Sequence, residues 1–459
     1  MQFIRVSLLI VLLFPTVAAA QSGRGHAGQP CQKGQFAFDN VLLTCSSDGL
    51  FRVALPEDLP PRPEGGYQQR PEWFPRLLDV MMEPDGAPAC PAIGRVTFTS
   101  PVIAIGDTLL IVPQGMMIGD HVTPIDHAYI GVRPLAIRRE RRTEADFVPV
   151  RVPADGIVTS IQTLGSPTSI RVVIAHGCET YSIYMVLNRL SGALGHLQDE
   201  LMAKNYLSTK VTVTAGDIFG IQRDNPLDFS VHVGSAWLPG FVSPFAYTSA
   251  DTWKPFTVDP WPYFSPDLGT AYESRMQRVA APRFGRIDLD QPGTAAGNWF
   301  IDGTLGYSGF PIERIRNGEF PQGGMIEGKN TYAWGHLSIV PHWVQPTSWI
   351  FSTGWWNDSR GDPTQMLLEV AEGQPVPSQL RADGRMVVYR LRQLGTDYQM
   401  PPGDESPFPI NYQVIGGEIM GLVAVAVNAD GTLSLEAFPN ATDPSRVTAF
   451  SPARRTYRR

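Results

Sequence analysis

Residues 146–165 read DFVPVRVPADGIVTSIQTLG, and two further runs follow closely: TSIRVVIAHG at 168–177 and TYSIYMVLNRL at 180–190. Each run holds about four to eight β-branched or apolar residues and ends at Gly, Pro, Asp or Ser, which predicts short strands joined by tight turns. The same style extends outward. Upstream lies TFTSPVIAIGDTLLIVPQG (97–115), and downstream lie VTVTAGDIFGIQ (211–222) and LDFSVHVGSAWL (227–238). One helical insertion interrupts the series at 192–206, GALGHLQDELMAKNY. The fold class expected is therefore mostly β.

A chain of 459 residues with 43% hydrophobic and 18% charged residues is long enough for several cores and too apolar for disorder. The 44 Gly and 41 Pro are spread without a triplet period, which fits many turns and excludes collagen. A net charge of -7 argues against nucleic acid as the partner. Residues 1–20, MQFIRVSLLIVLLFPTVAAA, have the basic, apolar and small-residue zones of a signal peptide. The expectation is a secreted or periplasmic protein with no membrane span in the mature chain. Its four cysteines, Cys31, Cys45, Cys90 and Cys178, then predict two disulfides. Cys31–Cys45 is favoured because it closes a short loop, which leaves Cys90–Cys178.

The domain order expected is a signal at 1–20, then an N-terminal segment at 21–96 with a Cys-closed loop and a Pro-rich linker. A β domain follows at 97–249 and an aromatic, Pro-rich connector at 250–284. A second β domain, sandwich or barrel, fills 285–459. Short helices are expected at 71–82 and 272–279. In the last domain GLVAVAVNADGTLSLEAF (421–438) predicts a hairpin turning at Asn428–Gly431.

Chemistry concentrates in Gly119-Asp120-His121-Val122-Thr123-Pro124-Ile125-Asp126-His127. It places two histidines and two further carboxylates beside a strand. Imidazole and carboxylate are good zinc ligands, although the same side chains also serve as polar turn formers around Pro124. Downstream come PADGIV (153–158), VIAHG (173–177), YMVL (184–187), VTAGDIFG (213–220) and SVHV (230–233). In that order the set resembles the M23 family of zinc endopeptidases, the lysostaphin/LytM type, over about residues 110–235. The resemblance implies an M23-like antiparallel sheet and one Zn2+ held by His121, Asp126 and His232. The His121–Asp126 spacing is one residue longer than the family's, so His127 is the alternate ligand. Two family histidines that serve the reaction fall on Val186 and Ser230. Valine cannot transfer a proton and serine is a poor base near neutral pH, so no catalytic residue is assigned.

Three functions are therefore weighed. The first is a catalytically impaired peptidase-like protein that binds a peptide, a peptidoglycan-like ligand or a partner protein. The second is an active zinc endopeptidase that uses replacement groups such as His127 or Asp228. The third is a surface structural or adhesive protein that binds through its Trp-rich C-terminal domain (Trp299, Trp334, Trp343, Trp349, Trp355 and Trp356). His176 and His196 are read as structural and solvated, and the Arg138–Arg142 cluster as a solvated loop or an anion site.

Overall fold

The computed structural model describes residues 23–81, 96–321, 325–326, 329–330, 333–356, 363–399 and 410–459. Residues 1–20, read above as a signal, and Cys90 lie outside them. The chain is mostly β, as its alternating runs predict. The central sheet runs Tyr206–Val213, Gly156–Thr163, Ile170–Ala175, Thr180–Leu187, Leu227–Val233, Ala128–Val132, Thr108–Val112. Every neighbouring pair is antiparallel. The short strand Thr257–Val258 adds to the far end of Leu227–Val233, pairing Thr257 with His232.

The motif turns are stitched to one another rather than aimed at a ligand. In PADG, the Asp155 carboxylate accepts the Ala215 N–H at 2.9 Å, and its carbonyl lies 3.0 Å from His176 Nδ1. The Asp217 carboxylate accepts from the Thr214 N–H and hydroxyl at 2.8 and 2.9 Å, an Asx-type closure of the VTAGDIFG turn. A Cβ at Gly156 would lie 2.7 Å from the Ala175 carbonyl oxygen, so only glycine allows this close pairing.

Both faces of the sheet are covered. Leu227, Phe229, Val231 and Val233 point into one core with Ile130, Val172, Tyr184 and Phe264. On the other face Val173, Ala175, Tyr181 and Ile183 pack against Leu42, Phe74, Phe256 and Leu305. The N-terminal segment thus caps the sheet. It is a small four-stranded sheet (Gly23–Arg24, Phe36–Phe38, Leu42–Cys45, Phe51–Val53) closed by the Cys31–Cys45 disulfide, as expected. Cys178 is also disulfide-bonded.

The C-terminal β region closes into a barrel of eight strands, which resolves the sandwich-or-barrel alternative. Its strands run from Gly297–Ile301 to Arg455–Arg458, and these two pair through Phe300–Arg458 and Ile301–Tyr457. Side chains such as Trp299, Phe351 and Tyr389 fill it. The hairpin at Asn428–Gly431 forms, with Gly431 at φ 80°. The insertion at 192–206 is helical, as Gly192–Leu197 and Gln198–Lys204, and a short helix Leu77–Met81 lies within 71–82. The helix expected at 272–279 lies earlier, at Pro266–Glu273. Ser265 and Pro266 start it, because proline at the first helical position lacks only an N–H that would be unpaired anyway. No helix among the described residues is long and apolar enough to cross a membrane.

Candidate functional site

Alternation along Leu227–Val233 sends Asp228, Ser230 and His232 to the face opposite the main core. Register places Asp228 beside Tyr129 on the neighbouring strand, directly after the loop that carries His121, Asp126 and His127. His121, Asp126, His127 and His232 are thereby gathered in one region. The connector adds Asp251, Trp253, Lys254 and Thr257, none of which the sequence singles out.

The cluster is buried. Asp126, Asp228, Ser230 and His127 are 2–6% exposed and His232 is 0% exposed; His121, Asp251 and Trp253 are half-buried. His127 lies between two carboxylates, with Nδ1 3.3 Å from Asp126 Oδ1 and Nε2 3.3 Å from Asp228 Oδ2. The other Asp126 oxygen accepts the Trp253 indole N–H at 2.7 Å. The Trp253 ring also stands edge-on to His232, with centroids 6.5 Å apart. His232 Nε2 meets the Ser230 hydroxyl at 2.9 Å, and its Nδ1 lies 3.3 Å from Thr257 Oγ1. The His121 ring stands edge-on to His127 at 5.9 Å.

These contacts set the charges. Burial opposes ionisation of Asp126, but Lys254 and His127 outweigh it and hold the carboxyl well below the usual range. Burial likewise opposes charge on His127, yet Asp228 and Asp126 on either side raise it above an ordinary imidazole. Burial pushes Asp228 up to about 6. Burial, then the neighbouring charges of His127 and Lys254, bring His121 down to about 4; burial also lowers His232 to about 4, so both rings are neutral near pH 7.

A zinc ion needs several donors aimed at one shared centre. Among the described residues, no three His, Cys, Asp or Glu side chains are arranged to hold a metal ion. The reason is local. Both Asp126 oxygens and both His232 nitrogens are committed to neighbours, and a lysine lies within the same cluster. The side chains named for the metal come together, but as a self-contained polar network that does not fit the metal as it stands.

The two positions at which the resemblance implies histidines, Val186 and Ser230, differ in kind. Ser230 bonds His232, as above. Val186 sits at an irregularity in the pairing of Thr180–Leu187 with Ile170–Ala175 and has φ 60°. A β-branched residue is poorly suited to this left-handed region, at a cost of about 1–2 kcal/mol. Gln222 enforces the conformation. Its amide donates to the Val186 and Asn225 carbonyls at 3.1 and 2.7 Å and accepts the Asn188 N–H at 3.0 Å. Bulges of this kind re-aim side chains and recur beside active sites. Val186→Asn, which tolerates φ > 0, is expected to stabilise the fold by about 0.5–1 kcal/mol in urea unfolding. A loss of stability would show that Val186 carries no strain.

The remaining candidates take structural positions. His176 is buried, its ring bonded to the Asp155 carbonyl and, at 2.7 Å, to the Ser182 hydroxyl. His196 is exposed. His336 donates to the Tyr307 carbonyl at 2.7 Å, and His342 Nδ1 accepts the Val344 and Gln345 N–H groups at 3.0 and 3.2 Å. Arg138, Arg139 and Arg141 are exposed, while Arg142 turns inward onto backbone carbonyls such as that of Ile137. Trp299, Trp343 and Trp356 are buried, the other three tryptophans are half-buried, and Arg455 lies over the Trp355 ring.

No protein-family model matches the chain, and no curated protein matches it. Among solved structures there is a likeness to the antimicrobial peptidase lysostaphin from Staphylococcus simulans. It covers 71% of this chain and 100% of that one, at 10% identity and a TM-score of 0.20. These values are too low for the likeness to bear on the site.

Proposed function

We propose that the protein is an exported, peptidase-like binding protein without hydrolytic activity, recognising a peptide, a cell-wall-like ligand or a partner protein. One observation carries the reading: the polar stripe that would face a substrate is covered, and its donors are spent on one another. Hydrolysis at a zinc centre needs an open position for water, a base and an oxyanion donor within reach of a substrate carbonyl. Val186 and Ser230 stand where the bases would be, and burial of Asp126, His127, Asp228 and His232, with Trp253 bonded to Asp126, removes the access. Recognition then falls to outer surfaces. A cleft of about 1090 Å3 between the N-terminal segment, residues 243–246 and the barrel is one candidate, lined by Glu57, Phe245, Phe300, Asp302 and Arg316.

The rival reading, an active zinc endopeptidase with His127 or Asp228 in replacement roles, has one point in its favour. Those two side chains lie 3.3 Å apart, yet His127 Nε2 and Asp228 Oδ1 make no hydrogen bond. A cleavage assay on peptidoglycan and on glycine-rich and mixed peptides, with added zinc, separates the two. No turnover above buffer is expected. Chelator-sensitive turnover that disappears in Asp126→Ala would establish the enzyme instead.

A further inference from the structure

We propose that the ε-ammonium of Lys254 is the resident cation of the buried cluster, in the electrostatic role that a divalent metal would otherwise have beside Asp126. The inference rests on the proposed reading of the protein as peptidase-like and non-hydrolytic. It starts from a lysine where a lysine is rarely found. Lys254 is 2% exposed, in the run Trp253-Lys254-Pro255-Phe256, whose other side chains are apolar.

A buried ammonium persists only where donors and charge are matched. Lys254 Nζ donates to the Pro124 carbonyl at 3.2 Å, pairs with Asp251 at 3.8 Å and lies over the Tyr307 ring at 4.9 Å from its centroid. The Pro124 carbonyl belongs to the same loop as His121, Asp126 and His127, so the ammonium is tied directly to the proposed ligand loop. Lys254 also leads the opposite charges acting on Asp126, and its charge reaches His121, His127 and His232. Three carboxylates, Asp126, Asp228 and Asp251, meet here. Lys254 supplies compensating charge from within the chain. A divalent ion placed against Asp126 would meet a fixed like charge in a weakly screened interior.

The substitution changes what the cluster can do. An ammonium has three donors but no open coordination position, so it can fix a loop yet cannot take up a water and activate it. The connector at 250–284 thereby fastens the loop at 119–127 to the sheet without any metal supply.

The test is zinc binding and thermal stability of the purified mature chain. The wild type should hold well under one zinc per chain after dialysis against zinc, and its melting temperature should be unmoved by zinc or chelator. Lys254→Met should melt lower, bind zinc at least about tenfold more tightly than wild type, and regain stability on binding it. A wild type that holds one zinc per chain, lost in Asp126→Asn, would overturn the proposal. So would a folded Lys254→Met indifferent to zinc. If Lys254→Met does not fold, the double variant Lys254→Met/Asp126→Asn decides. Recovery of folded protein supports the pairing of the two charges, and no recovery counts against it. The functional reading fails separately: a zinc-free protein that still cleaves peptide sinks that reading, whereas a silent zinc-loaded protein sinks only this one.

Discussion

Replacing Asp126 by alanine is expected to lower the free energy of unfolding by about 3–5 kcal/mol, the range for breaking a buried ion pair from one side. The carboxylate is the centre of its network. One oxygen accepts from Trp253 and the other faces His127, and Lys254 supplies the leading opposite charge. Removing it leaves the Lys254 ammonium and the His127 ring with less anionic charge around them, and the Trp253 indole N–H without its acceptor. Asp126→Asn should cost less, because an amide oxygen still accepts the Trp253 N–H while the charge is lost. The order alanine worse than asparagine, read by urea unfolding with tryptophan fluorescence, separates charge from hydrogen bonding. A loss under about 1 kcal/mol for the alanine variant is the value typical of exposed pairs. It would mean that solvent, not Lys254, balances this carboxylate.

The size of that effect explains why the site was only half legible in the sequence. Strands that carry it could be read because side-chain alternation is local: Leu227–Val233 alternates in the sequence and alternates in space, with Phe229 and Val231 in the main core and Asp228, Ser230 and His232 on the other face. The gathering of His121, Asp126, His127 and His232 was suggested by the order of the motifs around them. What decides their chemistry was not local. Lys254 reaches Pro124 across 130 residues, and Trp253 reaches Asp126 across 127. The one sequence signal was a lone lysine inside an aromatic, proline-rich run. Val186 is similar. That it stands where the resemblance implies a histidine could be read, but its backbone conformation depends on Gln222, 36 residues away. Barrel closure was also hidden, because it depends on pairing the first strand with the last, and no local pattern encodes that.

Acid should weaken the fold through buried histidines outside the cluster, and His342 isolates the effect. Its buried ring accepts two backbone N–H groups at Nδ1, which only the neutral form can do. Burial, reinforced by the charge of Arg278, lowers it to about 3, while burial lowers His336 to about 3 and His176 to about 4. The unfolded rings titrate near 6.5. Between about pH 6.5 and each folded value the unfolded chain therefore binds the extra proton. The stability these rings contribute is fully present above 6.5 and is lost as pH falls toward 4. Three carboxyls oppose this: burial raises Asp228, Asp259 and Asp290 to about 6, so their ionisation costs stability as pH rises. A single pH profile would mix the two signs, so the measurement is a difference. Asparagine at 342 can accept the same N–H groups but does not titrate. From pH 7.5 to 4.5 the wild type should lose about 2–3 kcal/mol more than His342→Asn, roughly 1.36 kcal/mol for each of the two units below 6.5. Parallel profiles for the two proteins would mean that His342 is protonated in the folded state, and that Val344 and Gln345 do not depend on its lone pair.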